Sequence, residues 1–189
     1  MSPLDVPLPI ATERLLLRAH GPDDLDDLLA FHSDPDVVRF VPWPVRDRVA
    51  TGETLAAKLD QAELREPGQW LVLAVEQRET RRVIGEGLLK WASERQGELG
   101  FAFARDVHGQ GYAAEAATAV LDLAFDGLGF HRVSAVVIEG NDASARLLGR
   151  LGFRQEARLV DGVHFKGAWA TQLVFALLED EWREPSAVG

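Results

Sequence analysis

The sequence predicts an α/β (α+β) fold: a mixed, mostly antiparallel central sheet of about seven strands with about four helices. Three observations predict it. Apolar, β-branched and aromatic stretches at residues 70–76, 83–91 and 98–105 follow one another with short polar connections, as in an antiparallel meander. The period then changes. A glycine-rich turn at 109–111 opens a run with Ala117, Val120, Leu121, Ala124 and Leu128 at helical spacing, and 132–139 returns to strand. The chain closes on two strand-like stretches, 153–159 and 169–178, around an Asp161-Gly162 turn.

The elements follow in order. Residues 1–11 are proline-rich and read as loosely ordered, and 12–18 read as the first strand. Gly21-Pro22-Asp23 starts a helix with Leu25, Leu28, Leu29 and His32 on one stripe. Residues 33–36 stop it and start a short helix at 37–40, which Pro42 and Pro44 break. Residues 49–63 read as another helix, ended by Pro67-Gly68. The strands of the meander are joined by a hairpin turn at 77–82 and a polar loop at 93–97. Gly127 and Gly129 end the helix of the middle unit, Asn141 caps a further helix over 142–151, and Gly152 stops it. Residues 179–189 read as a polar tail.

A chain of 189 residues suits one domain, 1–189, with a core over about 10–183. With no cysteine, disulfides, thiolate metal sites and cysteine nucleophiles are excluded. Twenty basic against 30 acidic residues give a net charge of −10, which argues against general nucleic-acid binding and suits an amine-bearing partner, or solubility alone. No apolar run approaches the ~20 residues that cross a bilayer. The first ten residues lack the basic start and apolar stretch of a secretory leader, so no membrane partner and a cytoplasmic location are expected. The five histidines show no ligand spacing, and no metal is expected: His32 reads as core-facing, His131 precedes a strand, and His20 and His164 fall in turns. Trp70, Trp91 and Trp169 read as core packing.

The most informative stretch is His108-Gly109-Gln110-Gly111-Tyr112-Ala113-Ala114-Glu115. A strand precedes it and a helix follows. Two glycines let several N–H groups converge, and the helix N-terminus adds orphan donors and partial positive charge, a site suited to a pyrophosphate. Gly109, Gly111 and Ala114 also fit the loose dinucleotide pattern Gly-x-Gly-x-x-Ala, so a nicotinamide-dependent oxidoreductase is a rival reading. Against it, the turn sits mid-chain after a meander, Glu139 comes late for a ribose contact, and little chain remains for a second catalytic domain.

This stretch resembles the acetyl-CoA signature of the GCN5-related N-acetyltransferase (GNAT) superfamily, with Gly111 and Ala113 at its small positions and His108 where Arg or Gln is usual. Residues 12–18 (Thr-Glu-Arg-Leu-Leu-Leu-Arg), Asn141-Asp142-Ala143-Ser144 with Leu151-Gly152-Phe153, and 173–182 ending Asp180-Glu181-Trp182 are similar to the RimJ/RimL-type branch. The resemblance covers about residues 10–183. It implies a GNAT-like sheet whose fourth and fifth strands splay. It implies acetyl-CoA as co-substrate, held at His108, Gly109, Gln110, Gly111, Tyr112 and Ala113, with its pantetheine arm along Phe101, Ala102 and Phe103 and a main-chain N–H there polarising the thioester. Asn141 is then a pantetheine contact or simply a helix cap, and Ser144 a donor to the leaving sulfur or a first-turn residue. Glu98 is the base for the amine or a solvent-facing strand glutamate, and Trp43, between two prolines, is an acceptor contact or packing. The implied activity is transfer of acetyl to a primary amine (a protein N-terminus, a peptide or a small molecule) by direct attack in a ternary complex, by a monomer or homodimer. A non-catalytic acyl-CoA sensor is the other alternative.

Overall fold

A computed structural model describes residues 3–183. Eight strands form one sheet: β1 (Ile10–Ala11), β2 (Leu15–Arg18), β3 (Trp70–Gln77), β4 (Val83–Ser93), β5 (Gln96–Phe103), β6 (Arg132–Ile138), β7 (Arg154–Phe165) and β8 (Ala168–Leu178). Their spatial order is β1-β2-β3-β4-β5-β6-β8-β7. Six helices accompany them: α1 (Leu25–His32), α2 (Pro35–Val38), α3 (Arg48–Lys58), α4 (Tyr112–Asp122), α5 (Asp142–Arg150) and α6 (Glu179–Arg183). The expected mixed, mostly antiparallel sheet is present. The eighth strand is the short β1, which pairs with β2, and the two shortest helices, α2 and α6, raise the helix count. No helix among the described residues is long and apolar enough to cross a membrane.

The core sits between the sheet and α4. Val120, Leu121, Ala124 and Phe125 of the helical segment are buried against Leu15, Leu17, Val75, Ile84, Leu89 and Trp91. Each such side chain contributes roughly 1.5–3 kcal/mol, so this layer and not the surface ion pairs carries the stability. After Asp122 the helix widens into a π turn at Leu123–Gly127, and Gly129, at φ +66°, lets the chain reverse. Polar side chains fix the helix starts: Asp34 accepts from Asp36 N, Asp47 from Ala50 N and Asn141 from Ser144 N.

Several expectations are corrected. Residues 3–11 are tied down, since Leu4 N donates to Leu64 O and β1 joins the sheet. The third helix stops near Lys58 and not at 63, because Gln61 O is taken by Val72 N of β3. The short helix spans Pro35–Val38, two residues ahead of 37–40, where the Asp34 cap sets its start. The loop at 93–97 shrinks to a tight turn at Glu94-Arg95. The closing hairpin turns at Lys166-Gly167, where both residues have positive φ, as a two-residue hairpin turn requires. Asp161-Gly162 lies inside β7 as an irregularity in register between Leu159 and Val163. That lengthens both strands and carries Trp169 out to 66% exposed, so it is not core. The tail begins as helix α6, with 184–189 outside the described residues.

Candidate active site

β5 and β6 form the one parallel pair among the described strands, and the pairing is brief. Only Gln96, Gly97 and Glu98 face Arg132, Val133 and Ser134, while β5 runs on to Phe103 and β6 to Ile138. The fourth and fifth main strands therefore splay as expected. Phe130 is wedged at the junction. A Cβ on Gly97 would meet its ring at 2.7 Å, so glycine is what lets β5 pass there.

The glycine turn crosses the open end. Gly109 and Gly111 have φ of +75° and +83°, and Gly111 is the N-cap residue of α4. Among the described residues no protein oxygen accepts from the amides of Gly109, Gln110 or Gly111, and a Cβ on Gly109 would meet nothing within 4 Å. These amides and the helix N-terminus thus present donors outward, which fits a diphosphate. Side chains brace the turn from behind. Glu115 accepts from Thr12 Oγ1 (2.6 Å), Arg14 N (2.8 Å) and Arg14 Nε (2.6 Å), and Arg14 Nη1 donates to Gln110 O (3.0 Å). Burial works against a charged Glu115, but these donors outweigh it and hold its carboxyl below the ordinary 4.5. His108 Nε2 lies 3.1 Å from Phe103 O, pinning the turn to the end of β5.

Two cavities open on either side of the splay. One, of about 490 Å³, runs from the turn along Phe101, Ala102 and Phe103 to Ser144 and Arg150. The other, of about 420 Å³, lies over the opposite stretch of sheet and is lined by Trp43, Arg46, Lys58, Glu86 and Glu98. Both share Phe40, Val41, Phe101, Asn141 and Ser144, so they meet where β5 leaves β6. A channel headed by free main-chain donors and joined to a second chamber has room for two molecules in contact.

The second chamber rests on buried charge. Glu86 of β4, fully buried, is bonded by Lys58 and lies 3.3 Å from His32 Nε2 and 3.0 Å from His20 Nε2. Burial alone would raise its pKa, yet the two histidines and Lys58 hold the carboxyl well below the ordinary 4.5. Burial lowers the pKa of Lys58 and of His32. His20 also approaches Asp24 Oδ2 at 3.4 Å, and its two carboxylate neighbours raise its pKa against the effect of burial. Asp24 in turn receives both Nη atoms of Arg18 at 2.9 and 2.8 Å, a bidentate pair that ties β2 to the start of α1.

The structure gathers Glu98, Trp43, Phe101, Asn141 and Ser144 at the chamber and Ala102, Phe103, His108, Gly109, Gly111 and Ala113 along the channel. Two expected turn residues face elsewhere. The Tyr112 side chain is buried, its hydroxyl accepting from Gln77 Nε2 (2.7 Å), and Gln110 Nε2 donates to Asp106 O (2.8 Å), so neither side chain is among those lining the channel. Asn141 Oδ1 accepts from Ser144 N at 3.3 Å, so the capping role is met in any case. Sequence reasoning missed Glu86, Lys58, Arg46 and His20, which it had put in a plain turn. One signal was available: a carboxylate between Gly85 and Gly87 inside an apolar strand.

The chain belongs to the GNAT acetyltransferase family, whose model for an acetyltransferase (GNAT) domain matches residues 14–154. An uncharacterised N-acetyltransferase, p20 of Bacillus licheniformis, is 30% identical over 173 residues, 90% of this chain and 96% of its own. A GNAT-family acetyltransferase from Bacillus anthracis has the same fold at a TM-score of 0.83 and 25% identity, over 92% of this chain and 100% of that one. A spermidine N-acetyltransferase from Vibrio cholerae, solved with coenzyme A and spermine, shares the fold at a TM-score of 0.76 and 19% identity, over 91% and 99% of the two chains. The chain is thus an acyltransferase enzyme of a family that uses acetyl-CoA, and the nicotinamide reading of the glycine turn falls away.

Proposed function

We propose that this chain, as one domain over about residues 10–183, moves the acetyl group of acetyl-CoA to a primary amine by direct attack in a ternary complex. The meeting of the channel and the chamber at Phe101, Asn141 and Ser144 is the observation that carries the reading, because it lets two molecules touch without a covalent enzyme intermediate. The absence of cysteine agrees with transfer that does not pass through a thiol of the protein. Coenzyme A supplies the acetyl carbon already activated as a thioester.

The protein's part is binding, proton handling and charge stabilisation. Outward amides at 109–113 hold the diphosphate. Main-chain N–H groups of Phe101 and Phe103, which face the β6 side and are left without a partner there by the splay, donate to the pantetheine arm and the thioester oxygen. Glu98, on β5 between Lys90 of β4 and Ser134 of β6, accepts a proton from the amine as its C–N bond forms. The C–S bond breaks, the thiolate leaves steadied by a hydrogen bond from Ser144 Oγ–H, and the proton taken up by Glu98 returns to that sulfur through solvent. Trp43 lines the acceptor side.

The test is release of free thiol from acetyl-CoA across a panel of peptide N-termini, polyamines, amino acids and simple amines. At least one primary amine is expected to drive release, and Glu98→Gln to lower kcat by ~100-fold or more, the usual contribution of a positioned base. Unchanged rates across every acceptor would remove Glu98 from the mechanism. Tight coenzyme A binding with no amine-dependent release would favour a sensor.

A further inference from the structure

The acceptor chamber holds more hydrogen-bond donors than the protein's own oxygens satisfy. Arg46, from the loop before α3, lines it half-buried. Its main-chain N–H donates to His32 O (3.1 Å), and one guanidinium N–H, on Nη1, donates to His32 Nδ1 (3.3 Å). That contact assigns the His32 tautomer, with Nε2–H left to donate to Glu86. A guanidinium carries five N–H donors, so most of Arg46 remains unused. Among the described residues no carboxylate forms an ion pair with it. Glu86 acts on it only through space, being already engaged by Lys58, His20 and His32.

The ring of Trp43 lines the same chamber. The Arg46 guanidinium lies 5.3 Å from the Trp43 ring centroid and Lys58 Nζ lies 6.0 Å from it, so both cations share one wall with the ring. A guanidinium held beside an aromatic ring keeps its N–H fork available to a planar carboxylate. The chamber's remaining carboxylate, Glu98, makes no ion pair among the described residues. One wall thus asks for an anionic oxygen group and β5 for a cation or amine.

We propose that the acceptor is an amino-carboxylate: its amine reaches Glu98, while its carboxylate accepts from the Arg46 guanidinium. The amine half rests on the acetyl-transfer reading above; the carboxylate half does not. A net charge of −10 gives such an acceptor no long-range attraction, so recognition depends on these short-range donors. The carboxylate could belong to a free amino acid or to a side chain of a short peptide.

The experiment pairs each probe with its neutral twin: alanine, leucine, glutamate and phenylalanine against their carboxamides, and tetrapeptides with glutamate or glutamine in second place. Affinity for the protein loaded with coenzyme A is measured by calorimetry, and acetyl transfer is measured on the same panel. For at least one pair, the carboxylate is expected to bind ~10–100-fold tighter than its amide, the strength of a charge-assisted pair. A free amino acid in that role points to a metabolite acceptor; only the tetrapeptide pair responding points to a peptide. Arg46→Gln should bring the ratio close to one, and Arg46→Lys should restore part of it. The wild-type ratio stands without any variant, so a poorly folding substitution does not blunt the test. Acetyl transfer with no carboxylate preference in affinity or in kcat/KM overturns this inference and leaves the transferase reading intact. Carboxylate-selective binding with no thiol release to any amine supports the anion site and overturns the amine reading.

Discussion

The glycine turn at 108–114 and the chamber behind β5 meet at Phe101, yet they manage charge in opposite ways. The turn is continuous in sequence, exposed, and made of main-chain donors, with its charged residues, Arg14 and Glu115, behind it as props. The chamber is assembled from α1, the loop before α3, α3 and β4, and beneath it Glu86 and Lys58 neutralise one another away from water, with His20 and His32 beside them. A site made of backbone depends on conformation and is indifferent to most side chains, which is why His108 can stand where the family usually has Arg or Gln. A site made of paired side chains depends on every partner being present.

This contrast can be tested by breaking each part in turn. Replacing Glu86 should have the largest effect. Glu86→Ala strands Lys58 in a buried site, and the loss of stability should be ~3–5 kcal/mol, read from the urea midpoint at neutral pH. The sign with pH follows from the lowered pKa. The unfolded chain takes up the proton near the ordinary 4.5 and the native carboxyl only well below it. The stabilisation is therefore present above that value and lost as the pH falls through it toward the native one. The wild-type midpoint should decline more steeply between neutral and acid pH than that of the variant. Equal midpoints at neutral pH would mean the cluster stabilises nothing.

Gly111→Val comes next. A β-branched residue at φ +83° is strained by ~1–2 kcal/mol, and its Cβ would meet Arg14 Nη2 at 3.3 Å. The amides must turn, so coenzyme A affinity should fall by ~10-fold or more, while calorimetric affinity for an acceptor amine stays near wild type. An equal loss on both sides would erase the division drawn here. Arg14→Ala should be mildest. The pair with Glu115 is partly exposed, at 41% and 17% of the two side chains, and ~0.5–1 kcal/mol is expected, seen as a few degrees in Tm and a slight rise in KM for acetyl-CoA.

The same contrast explains what was legible in the sequence. The meander, α4, the Asn141 cap and the glycine turn are written in contiguous residues with a period or a spacing, and all appear in the structure. The chamber is not. Lys58 and Glu86 lie 28 residues apart and His32 and Glu86 lie 54, so their pairing exists only once α1, α3 and β4 have packed. The hairpin was misjudged because Asp161-Gly162 has the composition of a turn, whereas Lys166-Gly167 has the conformation of one. Trp169 followed that error, since its exposure is set by how far β8 extends past the body of the sheet.

The short seam between β5 and β6 makes each of them, past Glu98 and Ser134, an edge strand turned toward the inside of the molecule. On a protein's rim, such an edge is a hazard, because any passing chain can zip onto it. Here the start of α4 and the start of α5 stand as gateposts over the gap, with Ala113 and Ala114 on one and Ala143 and Ser144 on the other. Short side chains on both gateposts leave the inner edges of β5 and β6 open to the channel between them. The fold thus turns a liability of sheets into a lined opening, which larger side chains at the gateposts would narrow.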